Sequence, residues 1–294
     1  MPIEKLTVLA VVAALALLCS YKSATYSMEL QNRYNYVYQR FSTECTRGAA
    51  SKEEWDCLSF PTDEPEPATP PSQTADIPVD MVFVEGGTFQ MSCTAEQGIC
   101  YYDEPAHEVT VSDFYLGKYE VTQELWKRVM GANNNPSYFK SDDLPVEMVS
   151  WCDAQSFIRK LNAKTGKEYR LPTEEEWEYA AHGGNKSRGY RYSGSNDADK
   201  VAWHYENSGI KTHSAGTKDQ NELGIHDMSG NVFELVYPAK HRLSCSLKSV
   251  IRGGSSYYVK DFCRVSYREE NWGGNDRNIG FRIATTNNPY THSE

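Results

Sequence analysis

The cysteines carry the most reactive side chains of this chain, and their spacing limits the chemistry that they can perform. There are eight of them, namely Cys19, Cys45, Cys57, Cys93, Cys100, Cys152, Cys245 and Cys263. No two are spaced as C-x-x-C, and no histidine follows a pair at the distance of a zinc site. Cys93 and Cys100 enclose only "TAEQGI", which predicts a small disulfide-closed loop in an oxidising compartment. The alternative is that both thiols are reduced and buried.

The charged residues exclude several classes of partner. The 40 acidic and 30 basic residues give a formal net charge of -10, and no run of Lys and Arg occurs. We therefore expect no nucleic-acid binding and no electrostatic attachment to an anionic membrane surface. The seven histidines are scattered, and the chain contains neither a G-x-S-x-G nucleophile motif nor a P-loop.

The N-terminus predicts export. Residues 6–18, "LTVLAVVAALALL", are almost wholly apolar, and as a helix they would span roughly 20 Å, less than a bilayer core of ~30 Å. This length favours a secretory signal peptide or a lipoprotein leader over residues 1–19, and a location in the cell envelope, the periplasm or at the cell surface. Cys19 directly follows the apolar run and suggests a lipid anchor, although Leu18 is not the small residue usual before such a cysteine. The alternative is an uncleaved anchor, which would also attach the chain to a membrane.

Composition divides the rest of the chain. Residues 20–60 are polar and rich in tyrosine, and residues 61–77 contain "PTDEPEPATPPSQTAD", which cannot bury a core and predicts an extended linker. The main domain is expected over residues 78–286, followed by a short tail, residues 287–294.

Three capped helices and several strands are predicted to position the chemistry. Thr122 opens "QELWKRVM", and two capping boxes, Ser150 with Asp153 and Thr173 with Glu176, open the helices that follow. Strands are predicted in "DMVFVEGGTFQMS" and "HEVTVSDFYLGKYEVT". From about residue 184 onward, Gly, Asn, Asp and Ser recur every few residues, which predicts a loop-rich half with short strands. The sequence thus predicts an α+β domain with much irregular structure.

A series of motifs in a fixed order resembles one known family. The motifs are "MVFVEGGTFQMS", "DEPAHEVTVSDFYLGKYEVTQELWKRVM", "NPSYF", "LPVEMVSWCDAQSFIRKLN", "YRLPTEEEWEYAAHGG", "NELGIHDMSGNVFEL", "IRGGS" and "NIGFRIA". Together they closely resemble the formylglycine-generating enzymes, or sulfatase-modifying factor domains, from about Val79 to Ala284. The resemblance implies a single domain of the C-type-lectin-like fold. It also implies an oxidase that converts a sulfatase cysteine to formylglycine with copper.

The resemblance places the copper site at one cysteine and one tyrosine. Enzymes of the family bind copper(I) between two cysteines, and soft thiolates suit this soft ion. The second position falls on Cys263, but the first falls on Tyr258, whose hard phenol oxygen does not replace a thiolate. Ser255 matches a serine that the enzymes keep near the active site. Cys263 could instead form a disulfide with Cys245 or remain a buried free thiol; Cys152 is expected to be a buried free thiol.

The resemblance also implies calcium. The family site is built around the "GN" turn, and the matching positions here are Asp227, Gly230, Val232 and Glu234. Two side-chain carboxylates and two backbone carbonyls are ligands that calcium prefers. The alternative is that Asp227 and Glu234 only stabilise turns.

The segment after the "GGS" motif is expected to line a binding groove. It contains Tyr257, Tyr258, Tyr267, Trp272 and Asn275, and rigid aromatic residues beside adaptable polar ones suit a binding surface. We expect Tyr258, Tyr267 and Trp272 to be at least partly exposed. The sequence therefore predicts a non-catalytic protein that binds a peptide, a glycan or an envelope protein. The alternative is an active formylglycine-generating oxidase.

Overall fold

The computed structural model describes residues 77–92, 106–237, 249–271 and 274–290. The predicted leader, the polar segment, nearly all of the linker and the Cys93–Cys100 loop lie outside these residues. Within the described ranges no helix is long and apolar enough to cross a bilayer.

Nine short strands form three separate sheets in the described residues. The first sheet has the order β1-β4-β9, the second is the pair β2-β3, and the third has the order β7-β6-β5-β8, in which only β5 and β8 run parallel. The strands are β1 (Met81–Val84), β2 (Gly87–Met91), β3 (His107–Val111), β4 (Phe114–Gly117), β5 (Phe233–Val236), β6 (Ser249–Arg252), β7 (Arg268–Asn271), β8 (Ile279–Gly280) and β9 (Ala284–Thr285). The predicted strands are confirmed. The consecutive strands β2 and β3 pair with each other, whereas β1 pairs with β4, so neither β1–β2 nor β3–β4 forms a hairpin.

The three predicted helices begin at their predicted caps. They are α1 (Gln123–Met130), α2 (Trp151–Thr165) and α3 (Glu174–Ala181). The Ser150 hydroxyl accepts the Asp153 N–H while the Asp153 carboxylate accepts the Ser150 N–H, and Thr173 and Glu176 make the same reciprocal pair. These contacts satisfy backbone N–H donors that are otherwise unpaired at the start of a helix. The types and spacing of these residues were therefore enough to predict where each helix begins. Two further helices of one turn, α4 (Ala198–Val201) and α5 (Tyr205–Ser208), interrupt the loop-rich half.

The core consists of two main groups of apolar side chains. In the first, Trp126 of α1 stacks on Phe157 of α2 with ring centroids 5.3 Å apart, and Phe281 packs edge-on against both. The second surrounds Trp177 of α3, which is fully buried. These helices and short strands confirm the predicted α+β class, and they hold the irregular segments that contain the site.

Candidate functional site

Cys263 lies at the end of a short 3₁₀ turn, Lys260–Cys263, and none of its surface is exposed. Its side chain packs with Tyr192, Ala198, Val201 and Ala202. Burial raises the pKa of the Cys263 thiol strongly, and the negative charge of Glu206 adds to this effect, while the Ser255 backbone N–H opposes it. The thiol is therefore protonated at neutral pH, whereas metal binding and nucleophilic attack need the thiolate.

The predicted disulfide between Cys245 and Cys263 is wrong, because Cys263 is a free cysteine. The thiol is closely packed: a Cβ placed on Gly254 would lie only 2.7 Å from the Cys263 sulfur. Cys245 itself lies outside the described residues. The prediction for Cys152 is also wrong, because this residue is disulfide-bonded.

Tyr258 and Cys263 pack against different groups of apolar side chains. The Tyr258 ring makes edge contacts with Phe233 and Phe262, at centroid distances of 5.1 and 5.3 Å, and belongs to the first core group. Cys263 packs in a different group. Ser255 is fully buried, and its hydroxyl accepts the Tyr257 N–H at 3.3 Å. Among the described residues Cys263 has no second free thiol with which to form a two-coordinate copper(I) site, so the donor set does not fit this ion.

Glu234 of the predicted calcium site is engaged by protein donors. Its Oε2 accepts hydrogen bonds from Trp177 Nε1 at 2.8 Å and from Arg282 Nε at 2.6 Å, and its Oε1 accepts one from Arg282 Nη2 at 2.6 Å. Asp227 Oδ2 accepts the Gly216 N–H at 2.6 Å, which leaves only Oδ1 without a partner. A calcium ion needs six to eight oxygens, and both oxygens of Glu234 already accept hydrogen bonds from buried protein donors.

The guanidinium of Arg282 supplies the positive charge at this position instead. Arg282 is fully buried and faces three buried carboxyls, Glu120, Asp227 and Glu234. Burial raises the pKa of Glu120 well above its usual value, and the charges of Asp227 and Glu234 raise it further. Burial raises the pKa of Asp227 to about 6. In the part of the chain that the structure describes, no three His, Cys, Asp or Glu side chains form a group that could hold a metal ion.

Gly230 and Val232 have a structural role in the same turn. Gly230 has a φ of 83°, and a Cβ there would lie 2.4 Å from the Trp203 carbonyl oxygen, so only glycine fits. The Val232 N–H donates to Glu120 Oε1 at 3.2 Å. Asn231 donates to the other oxygen of Glu120 at 2.7 Å. The "GN" turn is thus held by hydrogen bonds to a buried glutamate that the sequence analysis did not single out.

The predicted groove residues divide into exposed and buried ones. Tyr257 and Tyr258 are half-buried and Asn275 is exposed, whereas Trp272 lies outside the described residues. The prediction that Tyr267 is exposed is wrong, since only 3% of its surface is accessible. Its ring packs edge-on against Phe262 with centroids 4.9 Å apart, so Tyr267 supports the surface from within.

Two residues beside the groove escaped the sequence analysis. The Arg277 guanidinium carbon lies 5.1 Å from the ring centroid of Tyr138 and 5.3 Å from that of Tyr257. No local pattern places Tyr138 beside the later segment. The only available signal was the resemblance in "NPSYF", which contains Tyr138 but does not show what its ring contacts.

An open cleft lies apart from these residues. Its volume is about 290 Å³, and its lining includes Asp80, Tyr119, Glu120, Glu124 and Arg128. None of the predicted catalytic, calcium-binding or groove residues lines it.

Comparison with known proteins identifies the fold and the family. A model of the sulfatase-modifying factor enzyme 1-like domain matches residues 66–287, more than half of the chain. The chain belongs to this family. The resemblance inferred from the motifs is thereby confirmed, and with it the single α+β domain of the C-type-lectin-like fold.

Individual members of the family differ in the activities that their names record. The chain is 41% identical to the chaperone protein LppX of Paenibacillus barcinonensis over 53% of this chain and 70% of that protein. It is 31% identical to the inactive C-alpha-formylglycine-generating enzyme 2 of Bos taurus, covering 56% of this chain and 57% of that protein. It is also 31% identical to the formylglycine-generating enzyme of Streptomyces coelicolor, covering 54% and 60%. The chain thus spans less than two thirds of the last two relatives.

Among solved structures, the chain is similar to Treponema denticola variable protein 1. The TM-score is 0.63 at 29% identity, and the match covers 74% of this chain and 98% of that protein. PvdO from Pseudomonas aeruginosa gives a TM-score of 0.61 at 25% identity.

Proposed function

We propose that this chain is a non-catalytic member of its family that binds a polypeptide partner. The observation that carries the proposal is the state of Cys263. Its thiol is fully buried, and its raised pKa keeps it protonated. The resemblance assigns the other copper position to Tyr258, whose ring packs among phenylalanines. One thiol and one phenol do not supply the two thiolates of the copper(I) site that the resemblance implies.

Two of the relatives support this proposal through their names. One is called inactive and another is called a chaperone, a class of protein that binds polypeptides. The exposed and half-buried polar and aromatic residues beside the "GGS" segment offer the surface for such a partner. We further propose that the leader exports the chain to the cell envelope, and that the linker separates the domain from an N-terminal membrane attachment.

One experiment tests the absence of oxidase activity. The purified full chain is loaded with copper(I) and incubated with oxygen and a cysteine-containing sulfatase peptide, and the peptide is analysed by mass spectrometry. The Streptomyces coelicolor enzyme serves as the positive control. We expect no formylglycine. Formylglycine that appears with the wild-type chain and disappears with Cys263→Ala would establish the oxidase and overturn the proposal.

A second experiment tests binding. The probe is reduced, carboxymethylated lactalbumin, which is permanently unfolded, and its native form is the control. We expect the chain to bind the unfolded probe and not the native one. Failure to bind either form would contradict a chaperone-like role, whatever the result of the oxidase assay.

A further inference from the structure

An arginine is held between two tyrosine rings at the surface beside the "GGS" segment. The guanidinium carbon of Arg277 lies 5.1 Å from the Tyr138 centroid and 5.3 Å from the Tyr257 centroid. Tyr138 is 62% exposed, and Arg277 and Tyr257 are half-buried. Contact with the two rings orients the guanidinium through its flat faces. The Arg277 side chain also hydrogen-bonds the Tyr257 hydroxyl, and its other guanidinium N–H groups have no partner among the described residues.

Arg277 differs from other arginines of the domain in its ion pairing within the described residues. No carboxylate of the described residues lies within 4.0 Å of its guanidinium nitrogens. Three other arginines of the domain show the contrast, because each pairs with a glutamate: Arg170 with Glu176, Arg252 with Glu178, and Arg282 with Glu234. Arg277 therefore has a preoriented donor edge and a charge that a ligand could neutralise.

The backbone around Arg277 is held in place from both sides. The Asp276 carbonyl accepts the Met148 N–H at 2.9 Å and the Ile279 N–H at 3.0 Å, and Asp276 Oδ1 accepts the Arg277 N–H at 2.7 Å. Met148 has a φ of 61°, a conformation that costs free energy for a residue other than glycine and often occurs at functional sites. The arginine thus projects from a fixed loop.

The neighbouring acidic groups do not neutralise Arg277 by direct contact. Glu147 is buried, and its Oε1 accepts the Phe139 N–H at 2.8 Å while its Oε2 has no partner. Burial raises the pKa of Glu147 to about 7, and the negative charge of Asp276 contributes, whereas Lys140 opposes the change. Glu147 is therefore partly uncharged at neutral pH.

We propose that Arg277, held between Tyr138 and Tyr257, recognises an Asp or Glu side chain of an extended polypeptide partner. This inference rests on the proposed function and identifies the chemical class of the partner. The planar donors of a guanidinium match both oxygens of a carboxylate, and the two rings offer contact area to the adjacent residues of the peptide. Tyrosine and arginine are also the residues that contribute most to binding at protein interfaces, which favours a polypeptide over an acidic polysaccharide.

The test uses peptides in matched pairs. One peptide of each pair carries Asp or Glu at chosen positions, and the other carries Asn or Gln at the same positions. The full chain is compared with Arg277→Gln, Arg277→Lys and Tyr138→Ala. Arg128→Gln is the control, because Arg128 is exposed on α1 and already pairs with Glu124 at 2.6 Å. Dissociation constants are measured by fluorescence anisotropy, and polygalacturonate is included as an acidic polysaccharide.

We expect the wild-type chain to prefer the acidic peptides at least about 10-fold, and Arg277→Gln to abolish the preference. Arg277→Lys should restore only part of it, since a lysine lacks the planar donors. Tyr138→Ala removes only an exposed ring, so it should weaken binding several-fold without unfolding the domain. Arg128→Gln should bind as the wild type does.

Several results would overturn the inference. A preference for acidic peptides that persists in Arg277→Gln would exclude this site. Equal binding of both members of each pair would do the same, but it would leave the proposed polypeptide-binding function intact. Binding of polygalacturonate alone would reject the polypeptide, and the absence of binding to every probe would reject the site.

Discussion

The buried pair of Arg282 and Glu234 yields the sharpest prediction on stability. Replacing Arg282 with methionine keeps an apolar side chain of similar length but removes the guanidinium. Four hydrogen bonds are lost: two to Glu234, one to the Gly117 carbonyl at 2.9 Å and one to the His226 carbonyl at 3.0 Å. The variant therefore removes the guanidinium donor from the Glu234 carboxylate and from two backbone carbonyls, and leaves Glu234 with the hydrogen bond from Trp177.

The expected loss follows from these contacts. Breaking a buried ion pair by removing one partner costs about 3–5 kcal/mol, because the remaining charge stays in a medium of low polarity. Glu120 and Asp227 are close enough to add negative charge around Glu234, so the loss of the guanidinium leaves this group of carboxyls without its main counter-charge. We expect Arg282→Met to lower the free energy of unfolding by about 4 kcal/mol, a large part of the ~5–15 kcal/mol typical of a domain.

Urea unfolding followed by tryptophan fluorescence measures this loss. The matched control is Arg128→Met, which makes the same chemical change at an exposed i,i+4 pair with Glu124 and should cost no more than about 0.5 kcal/mol. The double variant Arg282→Met with Glu234→Leu should recover part of the stability, since it removes the unpaired charge as well. A loss below about 1.5 kcal/mol for Arg282→Met, or one equal to that of the control, would refute the assignment of Arg282 as the structural cation.

Four further predictions concern the thiol of Cys263, the predicted calcium site, the carboxyl of Glu147 and the helix cap at Ser150. Iodoacetamide should not modify Cys263 in the native chain but should do so in urea, as peptide mapping can show; rapid native modification would contradict its burial. EDTA should leave the melting temperature unchanged, because Glu234 is occupied by Arg282 and Trp177; a fall of several degrees would instead indicate a bound cation. The pKa of Glu147 is about 7 in the folded chain, against its ordinary value of 4.5. Between these two pH values the folded chain holds a proton that the unfolded chain has lost, so ionisation of this carboxyl lowers the stability of the fold increasingly as the pH rises from 4.5 to 7. Glu147→Gln should therefore stabilise by about 1–2 kcal/mol at pH 8 relative to its effect at pH 5, a value reduced for partial access of water, and equal effects at both pH values would argue against the raised pKa. Ser150→Ala should cost about 1 kcal/mol by removing the cap of α2, again measured in urea, and no loss would mean that the cap is replaced by water.

The parts of the fold that the sequence predicted are those determined by neighbouring residues. Ser150 with Asp153 and Thr173 with Glu176 satisfy helix ends within one turn, so their types and spacing were sufficient. The order of the motifs then identified the family, and with it the fold.

The errors concern residues whose surroundings come from distant parts of the chain. Tyr267 looks like an exposed groove residue in sequence, but Phe262 and Phe233 enclose it. In sequence Glu234 resembles a calcium ligand, and only the fold shows that Arg282 donates to both of its oxygens, so the calcium prediction stays to be tested. The contact of Tyr138 with Arg277 likewise depends on how separate loops meet. No local periodicity reports such contacts, because they are decided by packing.

The retention of Cys263 does not by itself indicate catalysis. At this position the chain needs a small apolar group, because Gly254 approaches so closely that an added Cβ would lie 2.7 Å from the sulfur. A thiol meets that need, and free cysteine commonly behaves as a small buried apolar residue. The same enclosure raises the pKa of the thiol and shields it from copper and substrate. Packing therefore explains the cysteine fully, and any catalytic role would require the enclosure to open, which the native labelling of Cys263 would detect.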